Sequence, residues 1–411
     1  MKTVLMLVYF FPPSSGAAAQ RSRKLAKYLP KHGWQPLVVT AGDDPFVPRD
    51  NTLMEDVAST EIHRTLPSIL PGMLLGRRAL RLLLDRFFVP DIQVGWIPRA
   101  HSCVKKLLAG RKIDLVYTSC APFSANLEGE RIGKRYGVPW VTDFRDPWVA
   151  GTTFRPPTPA HRWIHAALED RAFSRCDWFV ANTPGFLDEE RERHPVLRQK
   201  SCCISNGYDP EDFPSVRPAG GKETWEMVFT GSWHRRYYPD TLFRIVRFFL
   251  ERNRTAKIKI HYSGPHFKQF FVPAERNGLA PLLEDHGHLS YKRTIALLQS
   301  GDLLLTTLPD DARARTWVPA KLYEYLATGR AVFGVCPDGD AARLVELAGS
   351  FVRPNALDAE TRGGDILQGL WDDWKAGKRR ETARAVLEKY QYPVLAERLA
   401  GVFDRLTEKM G

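Results

Sequence analysis

A basic and an acidic residue stand close together in the segment WVPAKLYEYLATGR, residues 317–330. Pro319 and Gly329 predict a short helix here, because proline is favoured in the first turn of a helix and glycine just past its end. Two apolar runs that resemble buried strands flank the segment. In an open parallel sheet, ligands bind beyond the carboxyl ends of the strands, and the first N–H groups of a helix suit phosphate. Lys321 and Glu324 therefore indicate a nucleotide site.

The predicted helix has two faces at about 100° per residue. The apolar face should pack on the sheet and consists of Leu322, Tyr325 and Leu326. The other face should point away from the core and consists of Lys321, Glu324 and Thr328. An ordinary amphipathic helix with a solvated base and acid has the same pattern, so this alternative stays open.

The segment TDFRDPW places three charges at the carboxyl end of the predicted strand 138–144. These charges belong to Asp143, Arg145 and Asp146. Such a position favours contact with a ligand. Two acids beside one arginine can also simply neutralise one another, and this structural alternative stays open.

The segment GSWHRR follows the predicted strand 226–231 and contains Arg235 and Arg236. The two arginines either bind an anion or form a solvated surface pair. Three glycines come just after predicted strands, where they allow backbone to approach a ligand or simply form a tight turn. These glycines are Gly16, Gly231 and Gly264.

The sequence predicts no metal site. Its six cysteines form no CxxC pair and have no histidine at zinc spacing, which also favours a reduced compartment. His286 and His288 lack an evident carboxylate or cysteine partner, so we expect them to line a nucleobase pocket instead. The DxD at residues 338–340 precedes a predicted helix, which favours a turn and a helix cap.

Size and charge narrow the class of protein. With 411 residues and 44% hydrophobic content, the chain can bury the cores of two or three domains. Its net charge of +12 favours anionic partners, namely a nucleotide, an acidic membrane surface or nucleic acid. We exclude nucleic acid because the sequence has neither a helix-turn-helix signature nor basic runs interleaved with aromatic residues.

Strand-like and helix-like runs alternate in both halves of the chain, which predicts an α/β fold with doubly wound parallel sheets. A segment rich in proline, glycine and charge, residues 214–224, separates the halves. We place a first domain at 1–213 and a second at 214–380. Two such domains in tandem would enclose a cleft.

Residues 70–88 break this alternation, with arginines among leucines and two phenylalanines at the end. A basic amphipathic helix of this kind either lies on an anionic membrane surface or packs on its own domain. The first residues, 1–20, resemble a signal peptide, but the apolar run is short and also fits a buried first strand. No segment has the 18 or more apolar residues of a spanning helix.

Several segments together resemble the retaining glycosyltransferases of family 4. In chain order they are FPPSSGAAAQRSRKLAKYL, GVPWVTDFRDPW, SNGYDPEDF, VFTGSWHRR and VPAKLYEYLATGR. The resemblance implies a GT-B fold, in which two Rossmann-like domains face each other across a cleft. It also implies that the helix 381–411 returns to the first domain. The implied activity is transfer from a nucleotide sugar without a metal or a cofactor.

The resemblance assigns roles to the candidate residues. Glu324 would hold the ribose hydroxyls, whereas Thr316 stands where the family often has a glutamate that contacts the donor sugar. Arg236 and Lys321 would neutralise the leaving diphosphate, and Asp143 would position the acceptor near the reacting carbon. The remaining candidates divide into a donor side, with Gly16, Gly231, Arg235, Gly264 and His288, and an acceptor side, with Arg145 and Asp146.

We therefore expect a retaining hexosyltransferase that uses a UDP- or GDP-sugar and a polysaccharide, glycolipid or lipid-linked acceptor. It would be cytoplasmic or peripheral on the inner face of the membrane, held there by residues 70–88. Two alternatives stay open. One is a sugar-nucleotide 2-epimerase of the same fold. The other is a non-catalytic nucleotide-binding partner of other transferases, which is consistent with the threonine at position 316.

Overall fold

The computed structural model divides the chain into two compact units. Met1–Asn206 and Tyr392–Gly411 form the first unit, and Gly207–Gln391 forms the second. The structure describes residues 1–42, 44, 47–68, 88–151, 154, 156–213, 223–233, 240–378 and 384–408. Arg235 and Arg236 lie outside these residues, as does the segment 70–88 apart from Phe88.

The first unit contains a seven-stranded parallel sheet in the order β3-β2-β1-β4-β5-β6-β7. Its strands are β1 Lys2–Leu7, β2 Trp34–Ala41, β3 Glu61–Thr65, β4 Leu115–Cys120, β5 Trp140–Phe144, β6 Trp178–Ala181 and β7 Ser201–Cys203. The helices between them are α1 Ala17–Tyr28, α2 Ile97–Leu107, α3 Ala125–Tyr136, α4 Pro159–Arg175 and α5 Pro184–Arg193. The last two begin at a proline that follows a capping threonine, a strong start signal in the sequence.

The second unit contains a six-stranded parallel sheet in the order β10-β9-β8-β11-β12-β13. Its strands are β8 Trp225–Thr230, β9 Ile258–Ser263, β10 Leu283–Asp285, β11 Leu303–Thr307, β12 Ala331–Val335 and β13 Gly349–Val352. Its helices are α6 Thr241–Arg252, α7 Phe267–Arg276, α8 Tyr291–Ser300, α9 Lys321–Ala327, α10 Asp340–Val345, α11 Ala359–Lys375 and α12 Arg384–Glu388. Apolar clusters cover both faces of each sheet, as buried parallel strands require.

The strand order confirms the predicted doubly wound topology in both units. The order reverses between β1 and β4 in the first sheet and between β8 and β11 in the second. Connections leave these neighbouring strands in opposite directions, which opens a crevice at the carboxyl edge of the sheet. Each unit therefore has a natural place for a ligand.

The boundary between the units lies after Asn206, whereas the sequence-based prediction places the end of the first domain at residue 213. The Tyr208 N–H donates to the carbonyl oxygen of Tyr390 at 3.0 Å, and the Tyr291 hydroxyl donates to Asp212 at 3.0 Å. These partners belong to the second unit. Residues 207–213 therefore take part in the second core, despite preceding the proline- and glycine-rich segment.

The C-terminal helix α13, Tyr392–Glu408, belongs to the first unit. Leu395, Leu399 and Phe403 are fully buried in its core, and the Phe403 ring meets that of Trp34 edge-on at 5.1 Å. The helix therefore covers apolar core surface of the first unit that the preceding elements leave exposed. Among the described residues, no helix is long and apolar enough to span a membrane.

We predict that Leu399→Ala lowers the free energy of unfolding of the first unit by about 2–5 kcal/mol, because it removes buried methyl groups and leaves a cavity. Glu397→Ala is the matched control, since Glu397 lies on the exposed side of the same helix. It should change stability by no more than about 0.5 kcal/mol. Urea unfolding monitored by tryptophan fluorescence compares the two. Equal stability of the two variants would contradict the packing described for α13.

Candidate functional site

The carboxyl edge of the second sheet brings together two of the predicted glycines. Gly231 follows β8 with φ of 96°, a backbone conformation that favours glycine, and its N–H donates to the Ser263 carbonyl oxygen at 2.7 Å. A Cβ atom on Gly264 would lie only 2.2 Å from the Gly231 carbonyl oxygen. Gly264 therefore lets the ends of β8 and β9 approach each other, so that backbone and not side chain forms this part of the edge.

Helix α9 projects a lysine onto the same edge. The Lys321 ammonium donates to the Thr230 carbonyl oxygen at 2.5 Å and lies 3.8 Å from the ring centroid of Phe229. Its Nζ is 3.9 Å from the position that a Cβ on Gly231 would occupy. The cation is therefore held at the last residue of β8 by a charge-assisted hydrogen bond and a cation–π contact.

Burial changes the protonation of this lysine. It lowers the pKa of Lys321 to about 7, and the charge of Glu324 opposes this shift. Glu324 is half-buried one helical turn away. An anion that enters the site would favour the charged ammonium, because an opposite charge stabilises the protonated form.

The faces of α9 agree with the predicted pattern except at one residue. Leu322, Tyr325 and Leu326 are buried, as predicted. The Thr230 N–H donates to the Tyr325 hydroxyl at 3.1 Å, which fastens the helix to β8. The prediction that Thr328 points away from the core is wrong. Thr328 is buried, and its hydroxyl donates to the Tyr325 carbonyl oxygen at 2.6 Å, because it closes the C-terminus of the helix.

The other predicted donor residues have different surroundings. Thr316 ends a short 3-10 helix, Ala312–Thr316, that precedes α9. His288 is exposed, two residues beyond the half-buried His286. In the first unit, Gly16 is exposed at the N-cap of α1 with φ of 101°. Helix α1 therefore begins in the segment that follows β1, and the first N–H groups of a helix lack intrahelical partners and suit phosphate.

Asp143 lies inside the first unit. It is fully buried and accepts hydrogen bonds from the Arg21 guanidinium at 2.7 and 3.1 Å, as well as one from the Tyr117 hydroxyl. Arg21 is itself buried and donates to the carbonyl oxygens of Ile204 and Ser205 at 2.8 and 2.6 Å. The carboxylate thus anchors α1 and the segment after β7 to β5.

Sequence reasoning missed Arg21, because a charged residue on a helix is ordinarily assigned to its solvated face. The available signal was an acid inside an apolar strand, since a buried carboxylate requires a cation. Burial, followed by the charge of Asp143, raises the pKa of Tyr117 well above its usual value. The phenol therefore stays protonated and remains a donor.

Arg145 and Asp146 lie just beyond β5. Arg145 is half-buried, and its side chain donates to the Ala121 carbonyl oxygen, while Asp146 is exposed. The two acids of this segment therefore differ in burial and in partner. Asp143 pairs with Arg21 and not with Arg145, and Asp146 is the acid that solvent can reach.

Comparisons with known proteins agree with this fold. Residues 16–207 match the family described as Glycosyl transferase 4-like domain. Sucrose-phosphate synthase from Thermosynechococcus elongatus is 13% identical, with 100% of each chain covered and a TM-score of 0.69. The lipopolysaccharide outer core galactosyltransferase WaaB is 12% identical over 98% of this chain and 99% of its own, with a TM-score of 0.57. S. aureus MnaA, solved with UDP, is 11% identical over 98% and 96%, also with a TM-score of 0.57.

None of the curated proteins matches this chain in sequence. The structural similarity shows the GT-B fold, and the family match adds the class of activity. The protein is therefore a glycosyltransferase of the GT-B type. Within that class, residues 16–207, which are less than half of the chain, match the Glycosyl transferase 4-like domain.

We predict that Asp143→Asn destabilises the first unit by about 3–5 kcal/mol, because it leaves the buried Arg21 guanidinium without a counter-charge. Asp146→Asn is the matched control three residues away and should change stability by no more than about 0.5 kcal/mol. Chemical denaturation of the two variants makes the comparison. A fully stable Asp143→Asn protein would show that the buried ion pair does not hold α1 in place.

Proposed function

We propose that the protein transfers a hexose from a UDP- or GDP-sugar to a polysaccharide, glycolipid or lipid-linked acceptor, with retention of anomeric configuration. The observation that carries this proposal is the Lys321 ammonium at the carboxyl end of β8, 2.5 Å from the Thr230 carbonyl oxygen. A cation in this position, beside glycine backbone and near Glu324, suits a nucleoside diphosphate. The fold neighbour MnaA has been solved with UDP, which supports the choice of ligand.

The chemistry assigned to the site is charge neutralisation. The nucleoside diphosphate leaves with negative charge, and donors aimed at that charge lower the barrier. Lys321 supplies one cation, and Arg236, with Arg235 beside it on the donor side, supplies another in this proposal. A charge-assisted hydrogen bond contributes about 1.5–3 kcal/mol, more than the 0.3–1 kcal/mol of a helix terminus. Basic side chains would therefore neutralise most of the negative charge on the leaving diphosphate, without a metal or other cofactor.

The remaining residues would bind and orient the substrates. The Glu324 carboxylate is an acceptor for the two ribose hydroxyls, and Gly231, Gly264 and the exposed His288 would border the nucleotide. In the first unit, Gly16 offers a helix N-terminus to the phosphates. Arg145 and Asp146 would contact the acceptor.

The proton of the acceptor hydroxyl needs no protein base in this proposal. In a front-face retaining reaction the leaving phosphate can accept that proton. Asp143 would then act on the acceptor side by positioning α1 through Arg21, because both of its oxygens already accept hydrogen bonds. The net charge of +12 supports a location at the anionic inner face of the membrane.

The second candidate is a nucleotide-binding partner without transfer activity. Thr316 favours it, because a hydroxyl cannot replace the carboxylate that the family often places there against the donor sugar. This candidate predicts nucleotide binding without release of UDP or GDP. A 2-epimerase would instead convert the sugar nucleotide to its epimer in the absence of an acceptor.

We predict slow release of UDP or GDP when the protein is incubated with UDP-glucose or GDP-mannose, because water can replace the acceptor. Lys321→Met keeps the length of the side chain but removes its charge, and should lower turnover about 100-fold if Lys321 supplies ~3 kcal/mol to the leaving group. Lys321→Arg keeps the charge and is the matched control, expected within about 10-fold of wild type. Coupled spectrophotometry measures the diphosphate, and NMR identifies the anomer of the released sugar.

Two results would contradict this account. Wild-type turnover in Lys321→Met would remove Lys321 from the site. Tight binding of UDP or GDP, without product from either donor, would favour the non-catalytic partner.

A further inference from the structure

One edge of the second sheet carries polar side chains where a doubly wound sheet is normally apolar. His261 of β9 stands opposite Glu284 of β10 in the parallel register. Lys259 precedes His261 by two residues, and His286 follows Glu284 by two. Because side chains alternate between the faces of a strand, Lys259, His261 and Glu284 belong to the same face, and His286 directly follows β10.

Three of these side chains converge. The Nδ1 atom of His261 lies 2.9 Å from Nε2 of His286. The Glu284 carboxylate places Oε2 at 3.8 Å from the first of these nitrogens and Oε1 at 3.6 Å from the second. His261 is buried, while Glu284 and His286 are half-buried.

We propose that His261, Glu284 and His286 bind a zinc ion. Two imidazoles and one carboxylate form a well-known three-ligand set for zinc, with water in the fourth position. Ligand atoms about 2.0–2.2 Å from a tetrahedral zinc lie roughly 3.4 Å from one another. The three distances in this cluster, 2.9, 3.6 and 3.8 Å, bracket that spacing. Small side-chain rotations would therefore complete the site.

The electrostatic surroundings permit a cation. Negative charge comes from Glu284 and from nearby Glu226. Lys259 pairs with Glu284, but its side chain is 47% exposed and can move into solvent when zinc binds.

A second cluster of similar composition shows why this one is chosen. In the first unit, Glu169 and Glu190 lie near His194, with carboxylate oxygens 3.6 and 3.4 Å from its Nε2 atom. The Arg193 guanidinium donates to both carboxylates at 2.8 Å. That guanidinium already neutralises both acids, so a metal ion would have to displace an arginine that is hydrogen-bonded to each of them.

Zinc at the chosen cluster would stabilise a loop at the candidate donor site. His286 is followed by Gly287, whose carbonyl oxygen accepts hydrogen bonds from the Gly264 N–H at 2.9 Å and the Ser263 hydroxyl at 3.1 Å. A metal bound to His286 would therefore restrain the backbone that holds Gly264. This role would be separate from sugar transfer.

Zinc binding by the chain without an affinity tag tests the proposal. Dialysis against zinc followed by mass spectrometry should give one tightly bound ion per chain, and cobalt should give the visible absorption of a tetrahedral site. His286→Gln should weaken binding by more than the 10–100-fold typical of losing an outer partner of a metal ligand. His288→Gln removes an exposed imidazole two residues away and should leave the zinc content unchanged. Circular dichroism checks that both variants fold.

Lys259→Gln provides an independent readout that does not remove a ligand. It frees Glu284 from a competing cation, so zinc should bind more tightly and raise the melting temperature more than in wild type. The proposal is overturned if wild type retains no zinc, if His286→Gln and His288→Gln bind it equally, or if Lys259→Gln leaves the affinity unchanged. None of these measurements uses a sugar nucleotide, so failure here and failure of the proposed transferase activity are distinguishable.

Discussion

The candidate site of the second unit depends on the contact between the Lys321 ammonium and the Thr230 carbonyl oxygen, at 2.5 Å. The lysine comes from α9, whereas the carbonyl belongs to the last residue of β8. The contact requires that the helix lie close to the strand, and the hydrogen bond from the Thr230 N–H to the Tyr325 hydroxyl ensures this. Burial then makes the charge of Lys321 sensitive to what occupies the site, because its pKa falls to about 7 without an anion. The charged form of Lys321 is therefore fully stabilised only when an anion is bound.

Glycine backbone provides the space around this cation. Gly231 adopts a left-handed conformation, and Gly264 packs so closely against its carbonyl oxygen that any side chain would collide. In the first unit, the buried pair of Arg21 and Asp143 has a comparable role, because it holds α1 and its glycine N-terminus at the edge of the sheet. In both units, close-packed or buried interactions therefore position the edge of the sheet where substrate is expected to bind.

The sequence predicted local structure well and long-range partners poorly. Alternating apolar runs and helix signals predicted the two doubly wound sheets. The helical spacing of Leu322 and Tyr325 predicted the buried face of α9. By contrast, the pairing of Asp143 with Arg21 joins residues 122 positions apart, and that of His261 with His286 joins β9 to the residue that follows β10. No spacing rule reveals such contacts, since they depend on which strands become neighbours. The position of the boundary at Asn206 likewise depends on hydrogen bonds to a distant segment.

Calorimetry of nucleotide binding tests most directly whether Lys321 meets the diphosphate. Titrating UDP and GDP at pH 8, in buffers with different ionisation enthalpies, gives the number of protons taken up on binding. With a pKa of about 7, Lys321 is mostly neutral at this pH in the free protein, and a bound diphosphate would raise that pKa. We therefore expect uptake of close to one proton, affinity that falls as the pH rises above 7, and no uptake in Lys321→Arg, whose guanidinium is always charged. Nucleotide binding with the same proton uptake in both proteins would contradict this expectation.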